Sequence, residues 1–351
     1  MRLRRSMGFA LLSTLATLVS CAGPPSAPAD APAPPPPPPP AASVAPAPAP
    51  VASAAEPAAD DEFAKVVIKV QKVAGNIYML EGRGGNIGVS VGDDGIVVVD
   101  DQFAPLAPKI RAALRGITDK PVRFVLNTHW HGDHTGGNKA LAGEATIVAH
   151  ENVRKRLESG APARQPDDEA TPPAPKEALP VVTFSDKLSL HVNGEEVRAL
   201  HQPSGHTDGD TVVYFIKSNV VHMGDDFVTY GFPYVDAPSG GSVKGMIEVL
   251  ERLATELPAD VKVIPGHGDV STVADMKKLA ATLRDCVRLV EVEVKKRKTL
   301  DQIKQAKVLE KYADLGKGFM KADNFVEIIY TELTRKAPAP APAAKPKPAA
   351  H

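Results

Sequence analysis

The chain has 351 residues, enough for one large domain or two medium ones, and its 43% hydrophobic and 24% charged content is ordinary for a soluble globular protein. A formal net charge of -1 lacks the basic excess that a nucleic-acid partner requires. Two cysteines, Cys21 and Cys286, exclude a disulfide framework and a cysteine-rich zinc module. Of 34 prolines, 26 fall in the stretches 24–57, 162–180 and 338–348, so the rest of the chain is proline-poor.

Arg2, Arg4 and Arg5 precede an apolar run from Met7 to Val19. That run is too short to span a bilayer comfortably and fits the apolar core of an export signal better than an anchored helix. Leu18-Val19-Ser20-Cys21 resembles a bacterial lipoprotein box. The resemblance implies cleavage after residue 20, lipid on Cys21 and, with Ala22 rather than Asp following, an outer-membrane anchor facing the periplasm. The mature protein is thus expected in the bacterial cell envelope, held to the membrane through its lipid. Residues 21–62 are mostly Ala, Pro and Ser, which bury nothing and stay extended as a spacer. Residues 336–351 repeat this character with Lys345 and Lys347.

Between these tails a domain is predicted from Phe63 to Arg335. Its first half reads as β-branched strands at 66–70, 77–80, 87–91 and 96–99, divided by glycine-rich turns. A helix follows over 107–115 and a strand over 122–126. Further strands are predicted at 146–149, 181–184, 187–191, 196–199, 211–216, 220–223 and 262–264. Helices are predicted at 151–158, 243–256, 273–298, 300–312 and 324–334. Sheets with helices on their outer faces give an α/β fold, a four-layer αββα sandwich. The Pro- and Asp/Glu-rich stretch 160–180 reads as a flexible inserted loop.

Residues 127–137, Asn-Thr-His-Trp-His-Gly-Asp-His-Thr-Gly-Gly, place three histidines and an aspartate in six positions directly after a buried-looking strand. Ten histidines in the whole chain make such clustering by chance improbable. His129 and His131, two apart in extended backbone, point the same way. A turn at Gly132 lets Asp133 and His134 face a second position. Imidazole with carboxylate suits zinc or a similar transition metal, and a two-ion site needs further ligands downstream. Candidates follow three later strands: His206, Asp225 and His267.

The segment His129-x-His131-x-Asp133-His134, with His206, Asp225 and His267 in that order, resembles the metallo-β-lactamase superfamily over about 77–268. The resemblance implies an αββα sandwich with metal ions at one edge between the sheets. By it, His129, His131 and His206 hold one ion, Asp133, His134 and His267 the other, and Asp225 bridges. Asp226 could stand in for Asp225, but the pattern puts the ligand directly after glycine. Asp100 matches the family's buried structural aspartate. The set resembles the glyoxalase II and lactonase-like branches more than the true β-lactamases, which implies two Zn2+ ions, or Fe or Mn in their place.

Two ions holding a hydroxide supply a nucleophile at neutral pH without Ser or Cys, and Asp133 would orient it as the catalytic carboxylate. The expected reaction is hydrolysis of an ester, thioester, lactone or β-lactam in a small-molecule substrate, with no nucleic acid involved. A genuine antibiotic-cleaving β-lactamase is a competing reading. Against it, Val228 stands where many β-lactamases carry a lysine for the drug carboxylate. The sequence is also compatible with a mononuclear-iron persulfide-dioxygenase-like enzyme and with an inactive metal-binding envelope protein. Arg83 reads either as an attractor of anions or as a solvated turn residue. Tyr230, Phe232 and Tyr234 read either as pocket walls or as packing. Trp130 and Cys286 read as packing, and His150, His191, His201 and His222 as structural or solvated.

Overall fold

A computed structural model describes residues 61–162 and 170–335. The signal segment, Cys21, the Ala/Pro spacer, the tail and positions 163–169 lie outside them. After a short turn of helix, α1 (Asp61–Ala64), four strands zigzag antiparallel: β1 (Lys69–Ala74), β2 (Ile77–Glu81), β3 (Ile87–Gly92) and β4 (Gly95–Val99). Helix α2 (Ala107–Ile117) crosses over to β5 (Val122–Asn127), which pairs parallel with β4. The short helices α3 (Gly132–Thr135) and α4 (Asn138–Leu141) lead to β6 (Thr146–His150). Helix α5 (Glu151–Ser159) then leads to β7 (Val182–Phe184), and β5, β6 and β7 run parallel.

A second sheet has the order β12-β11-β10-β9-β8. Strands β8 (Lys187–Val192), β9 (Glu195–Gln202), β10 (Asp210–Phe215) and β11 (Val220–His222) form an antiparallel meander. Helix α6 (Val243–Glu256) carries the chain to β12 (Lys262–Ile264), which is parallel to β11. Helices α7 (Val273–Lys295), α8 (Leu300–Gln305) and α9 (Ala322–Thr334) complete the domain.

Strand alternation dictates the layers. On β4, Val97 and Val99 join Leu126 and Val148 against Val213, Phe215 and Ile264 of the second sheet. Their neighbours Ile96 and Val98 face the other way, onto Ile110 and Leu114 of α2. With both faces covered, β4 is buried throughout. The outer face of the second sheet takes α6, α7 and α9 through Leu250, Met276, Leu283 and Phe325. The result is the expected αββα sandwich.

Three local expectations are corrected. The first strand begins at Lys69 rather than residue 66, because Val66 and Ile68 are used to cover the outer face of the first sheet beside α2. The helix expected over 300–312 stops at Gln305, where Lys307 takes a left-handed φ of 47°, and a 3-10 segment resumes at Glu310–Lys317. The helix expected to reach 298 ends at Lys295, with Arg297 at φ 60°. In the 160–180 insertion, Ala161 and Thr171 exchange backbone hydrogen bonds of 2.9 and 2.8 Å, and Ala178 and Leu179 are buried. Cys286 is fully buried on α7.

Candidate metal centre

All seven candidate ligands meet where β5 of one sheet ends against β9, β11 and β12 of the other. His129, His131, Asp133 and His134 follow β5, His131 being the N-cap of α3. His206 follows β9, Asp225 follows β11 and His267 follows β12. Strand ends are where the sheets' hydrogen-bond ladders stop and leave backbone free to turn, so side chains from distant sequence can converge. Asn86 ties the two sheets together here, its backbone N–H donating to Gly266 O at 2.7 Å and its amide to Pro265 O and Gly268 O. Two glycines make room: a Cβ on Gly85 would stand 2.2 Å from the His134 ring, and one on Gly266 2.0 Å from Asp225 Oδ1.

Three sets of donor atoms lie within 4.8 Å of one another: His129, His131 and His206; His129, His134 and Asp225; and Asp133, His134 and His267. Asp225 belongs between the first and last of these trios. Its Oδ1 is 3.2 Å from His134 Nε2, and its Oδ2 is 3.4 Å from His267 Nε2 and 3.7 Å from His206 Nε2. Asp226 faces away, its Oδ1 accepting the backbone N–H of His206 at 3.0 Å, and burial pushes its carboxyl up to about 6.

The hydrogen bonds around the rings decide what the inner atoms can do. The outer nitrogen is committed in four of the five imidazoles: His129 Nδ1 to Thr128 Oγ1 at 3.0 Å, His131 Nε2 to Asp236 Oδ2 at 2.9 Å, His134 Nδ1 to Asp100 Oδ2 at 2.8 Å and His206 Nδ1 to Tyr234 O at 2.8 Å. With those nitrogens donating, the inner ones present lone pairs. His131 Nδ1 then stands 3.1 Å from His129 Nε2 and 2.8 Å from His206 Nε2, three bare acceptors converging on one point. Burial holds His129 well below the ordinary imidazole range, helped by His134 and His206, and pushes His206 down to about 4. Neither of these two rings readily takes a proton, and a metal cation at that point would accept the lone pairs of all three.

The trio of Asp133, His134 and His267 sits in a negative field. Burial alone would lower His134 and His267, but Asp133, Asp225 and Asp100 beside His134 raise it, and Asp225 with Asp133 raises His267 to about 9. Burial alone would also raise the two carboxyls, yet His134 and His267 hold Asp133 at about 2 and Asp225 well below its usual range. A field that draws protons onto imidazole draws a metal cation equally. The buried Asp225 Oδ1 receives no hydrogen bond from the described residues, as a metal-directed oxygen would not. The donor set therefore fits metal ions.

Asp100 is fully buried and accepts from Thr128 N and Thr128 Oγ1, each at 2.7 Å, as well as from His134. It and Gln102 hold left-handed backbone, φ 66° and 57°, a strain of the kind found at functional sites. Trp130 is buried with Val153, Leu157 and Leu179, its ring 5.1 Å from that of His131. Of Tyr230, Phe232 and Tyr234, Tyr230 lies 5.5 Å from the His267 ring, and Tyr234 lies 6.1 Å from His131 and 5.8 Å from His206. Phe232 instead is core, stacked on Phe325 at 4.7 Å. Arg83 pairs with Glu62 at 2.8 Å and lies over Phe63. His222 is buried, its Nε2 donating to Asn86 O at 3.0 Å and its Nδ1 accepting from Gly224 N at 3.1 Å. Asp236 and Thr128 are not apparent from sequence. Their only signals are a lone Asp before a Pro-Ser turn and a Thr next to the first histidine.

Known proteins are similar to this chain in sequence and in fold. A protein of Methanocaldococcus jannaschii described as a probable metallo-hydrolase is 30% identical over 164 residues, 43% of this chain and 72% of the relative. The atrochrysone carboxyl ACP thioesterase of Aspergillus chevalieri is 25% identical over 218 residues, 62% of this chain and 61% of the relative. Among solved structures, a double mutant of the sec-alkyl sulfatase PisA1 superposes with a TM-score of 0.58 at 14% identity, covering 76% of this chain and 50% of that one. That likeness is one of fold. The chain thus spans about half to three quarters of these proteins. Residues 74–267 match the family described as "Metallo-beta-lactamase superfamily", a family of metal-dependent hydrolases acting on small molecules. That stretch is more than half of the chain and contains all seven convergent side chains, and the protein belongs to this superfamily.

Proposed function

We propose that this protein is a binuclear zinc hydrolase that cleaves a carbonyl bond in an ester, thioester, lactone or lactam. The observation that carries the reading is the convergence of seven side chains, two trios of donors with Asp225 between them. In this reading His129, His131 and His206 hold one ion, Asp133, His134 and His267 the other, and Asp225 lies between. When bound, such ions supply Lewis acidity and lower the pKa of water enough to give a nucleophile at neutral pH. The chain's own groups do the rest. Thr128, Asp236, Asp100 and Tyr234 O hold the four rings in their tautomers. Asp133, its side chain 26% exposed and 3.3 Å from His267 Nε2, faces the open side of the centre and orients the attacking water.

Val228 is buried where a drug-binding lysine would be needed, which supports a substrate other than a β-lactam antibiotic. The test is a panel of a chromogenic ester, a thioester, a lactone and a cephalosporin, run on the purified chain alongside its metal content. Hydrolysis of one of the first three, with zinc bound, is the expected result. Iron with oxygen consumption would overturn the reading in favour of an oxygenase, and bound metal without turnover would reduce the protein to a metal-binding one.

A further inference from the structure

Phe319 is 75% exposed, on the turn between the 3-10 segment Glu310–Lys317 and α9. A phenylalanine left in water forgoes about 1.5–3 kcal/mol of burial. The turn does not need this ring to hold its shape. Its anchor is the next residue, Met320, 5% exposed and bridged to Phe232. Phe232 also donates its N–H to Leu315 O at 3.0 Å and stacks on Phe325. Gly318 completes the fixation: a Cβ there would stand 2.6 Å from Tyr230 O, so the turn lies directly on the segment after Asp225.

The ring so held meets Tyr234 edge-on, with centroids 6.4 Å apart and planes at 88°. Tyr234 in turn faces the rings of His131 and His206. A run of aromatic surface therefore leads outward from the metal centre to an exposed ring. That ring belongs to the C-terminal segment, beyond the stretch 74–267 that carries the superfamily match. Phe319 stands between Lys317, paired with Asp314 at 2.6 Å, and Lys321, whose ammonium donates to Gly318 O at 3.0 Å, so the side chains flanking the ring are tied down to the turn and leave the ring itself as the exposed apolar surface.

We propose that Phe319, with Tyr234, forms an apolar subsite that receives a neutral alkyl or aryl group of the substrate, making this a hydrolase of hydrophobic acyl compounds. The proposal rests on the hydrolase reading only for what happens to the ligand once bound. Binding can be read separately, with the purified full chain and the non-hydrolysable series 1-butanol, 1-hexanol, 1-octanol followed by ligand-observed NMR. Affinity is expected to rise roughly twofold per methylene, about half the effect of full burial. In Phe319→Ala the octanol-to-butanol ratio should fall at least about fivefold, and Phe319→Leu should restore it. For p-nitrophenyl esters, the preference for octanoate over acetate should fall similarly in Phe319→Ala, through the KM for octanoate. The same alkanol slope in wild type and Phe319→Ala, or equal losses on acetate and octanoate, overturns the subsite. If no ester, thioester or lactone is cleaved, the hydrolase reading falls and the alkanol series still decides the subsite.

Discussion

His131 Nε2 lies 2.9 Å from Asp236 Oδ2, although the two residues are 105 positions apart. Asp236 is fully buried, its Oδ1 accepts Ser239 N at 3.2 Å, and its own N–H donates to His206 O at 2.9 Å. One residue thus sets the tautomer of one candidate ligand by its carboxylate and anchors the loop of another by its backbone. Asp236→Asn keeps the shape and removes the charge that makes His131 a better donor to metal. We predict a loss of roughly 10–100-fold in metal affinity, measured by competition with a chromogenic chelator, with the fold retained. Wild-type affinity in the variant would mean that Asp236 serves only the loop.

Metal removal is the second prediction. Dialysis against a chelator should abolish hydrolysis, and two equivalents of zinc per chain should restore it, with one equivalent giving partial recovery. The stripped protein should also lose heat stability, because the inner lone pairs of His129, His131 and His206 would again face one another unrelieved. Full activity after exhaustive chelation would sink the metal-dependent reading.

The third prediction concerns placement and rests on sequence alone. Cys21→Ser should block lipid attachment and leave the precursor uncut or released from the membrane fraction. A lipoprotein carries several acyl chains, enough for firm anchoring where a single chain binds weakly. Membrane association unchanged by the substitution would eliminate the lipid anchor and favour a simple apolar one.

How much of the site can be read from sequence follows from the range of its contacts. His129 to His134 announce themselves because the spacing of ligands on one extended-to-turn segment is local. His206, Asp225 and His267 are legible because each ends a recognisable strand, and strand ends gather at one edge of a sandwich. The strands of the core are legible for the same reason, since Ile96 to Val99 carry an unbroken β-branched run. Asp236 and Phe319 are not. Each acts through a contact with a distant element, and neither sits in a periodic pattern. The breaks at Lys307 and Arg297 are hidden too, because lysine and arginine advertise helix and adopt φ of 47° and 60° only under tertiary constraint.

Cys286 gives a prediction about pH. Burial pushes its thiol up to about 12, so in the folded protein it stays protonated where an exposed thiol would ionise. Iodoacetamide at pH 8 should leave the native chain unlabelled at this position and label it in urea. Above the unfolded thiol's pKa, near 8.5–9, the unfolded state loses a proton that the folded state keeps. Stability therefore falls as pH rises from there towards 12, by about 1.4 kcal/mol per unit at most from this group. The difference in urea midpoint between wild type and Cys286→Ala should change with pH across this window. A constant difference would show that the thiol ionises alike in both states.

The roles within the centre are separated by two substitutions on opposite sides of it. Asp133→Asn keeps the volume and removes a charge that stands 3.3 Å from His267 Nε2 on the solvent side. As the group that orients the attacking water, its loss should lower kcat at least ~100-fold, the order found for a positioned acid–base group. His222→Ala alters a histidine behind the centre, where the ring bridges Asn86 O and Gly224 N. Removing it leaves both backbone groups unpaired in a buried place, a cost of about 1–3 kcal/mol in stability for each. Activity below the melting temperature should stay within a few-fold of wild type, because no atom of His222 belongs to the convergent donor sets. Steady-state kinetics on a chromogenic ester, with metal content and thermal unfolding measured on the same samples, distinguish the two. If both variants stay folded and fully metallated yet lose activity alike, Asp133 is not the orienting carboxylate, and the water must be positioned by another side chain of the centre.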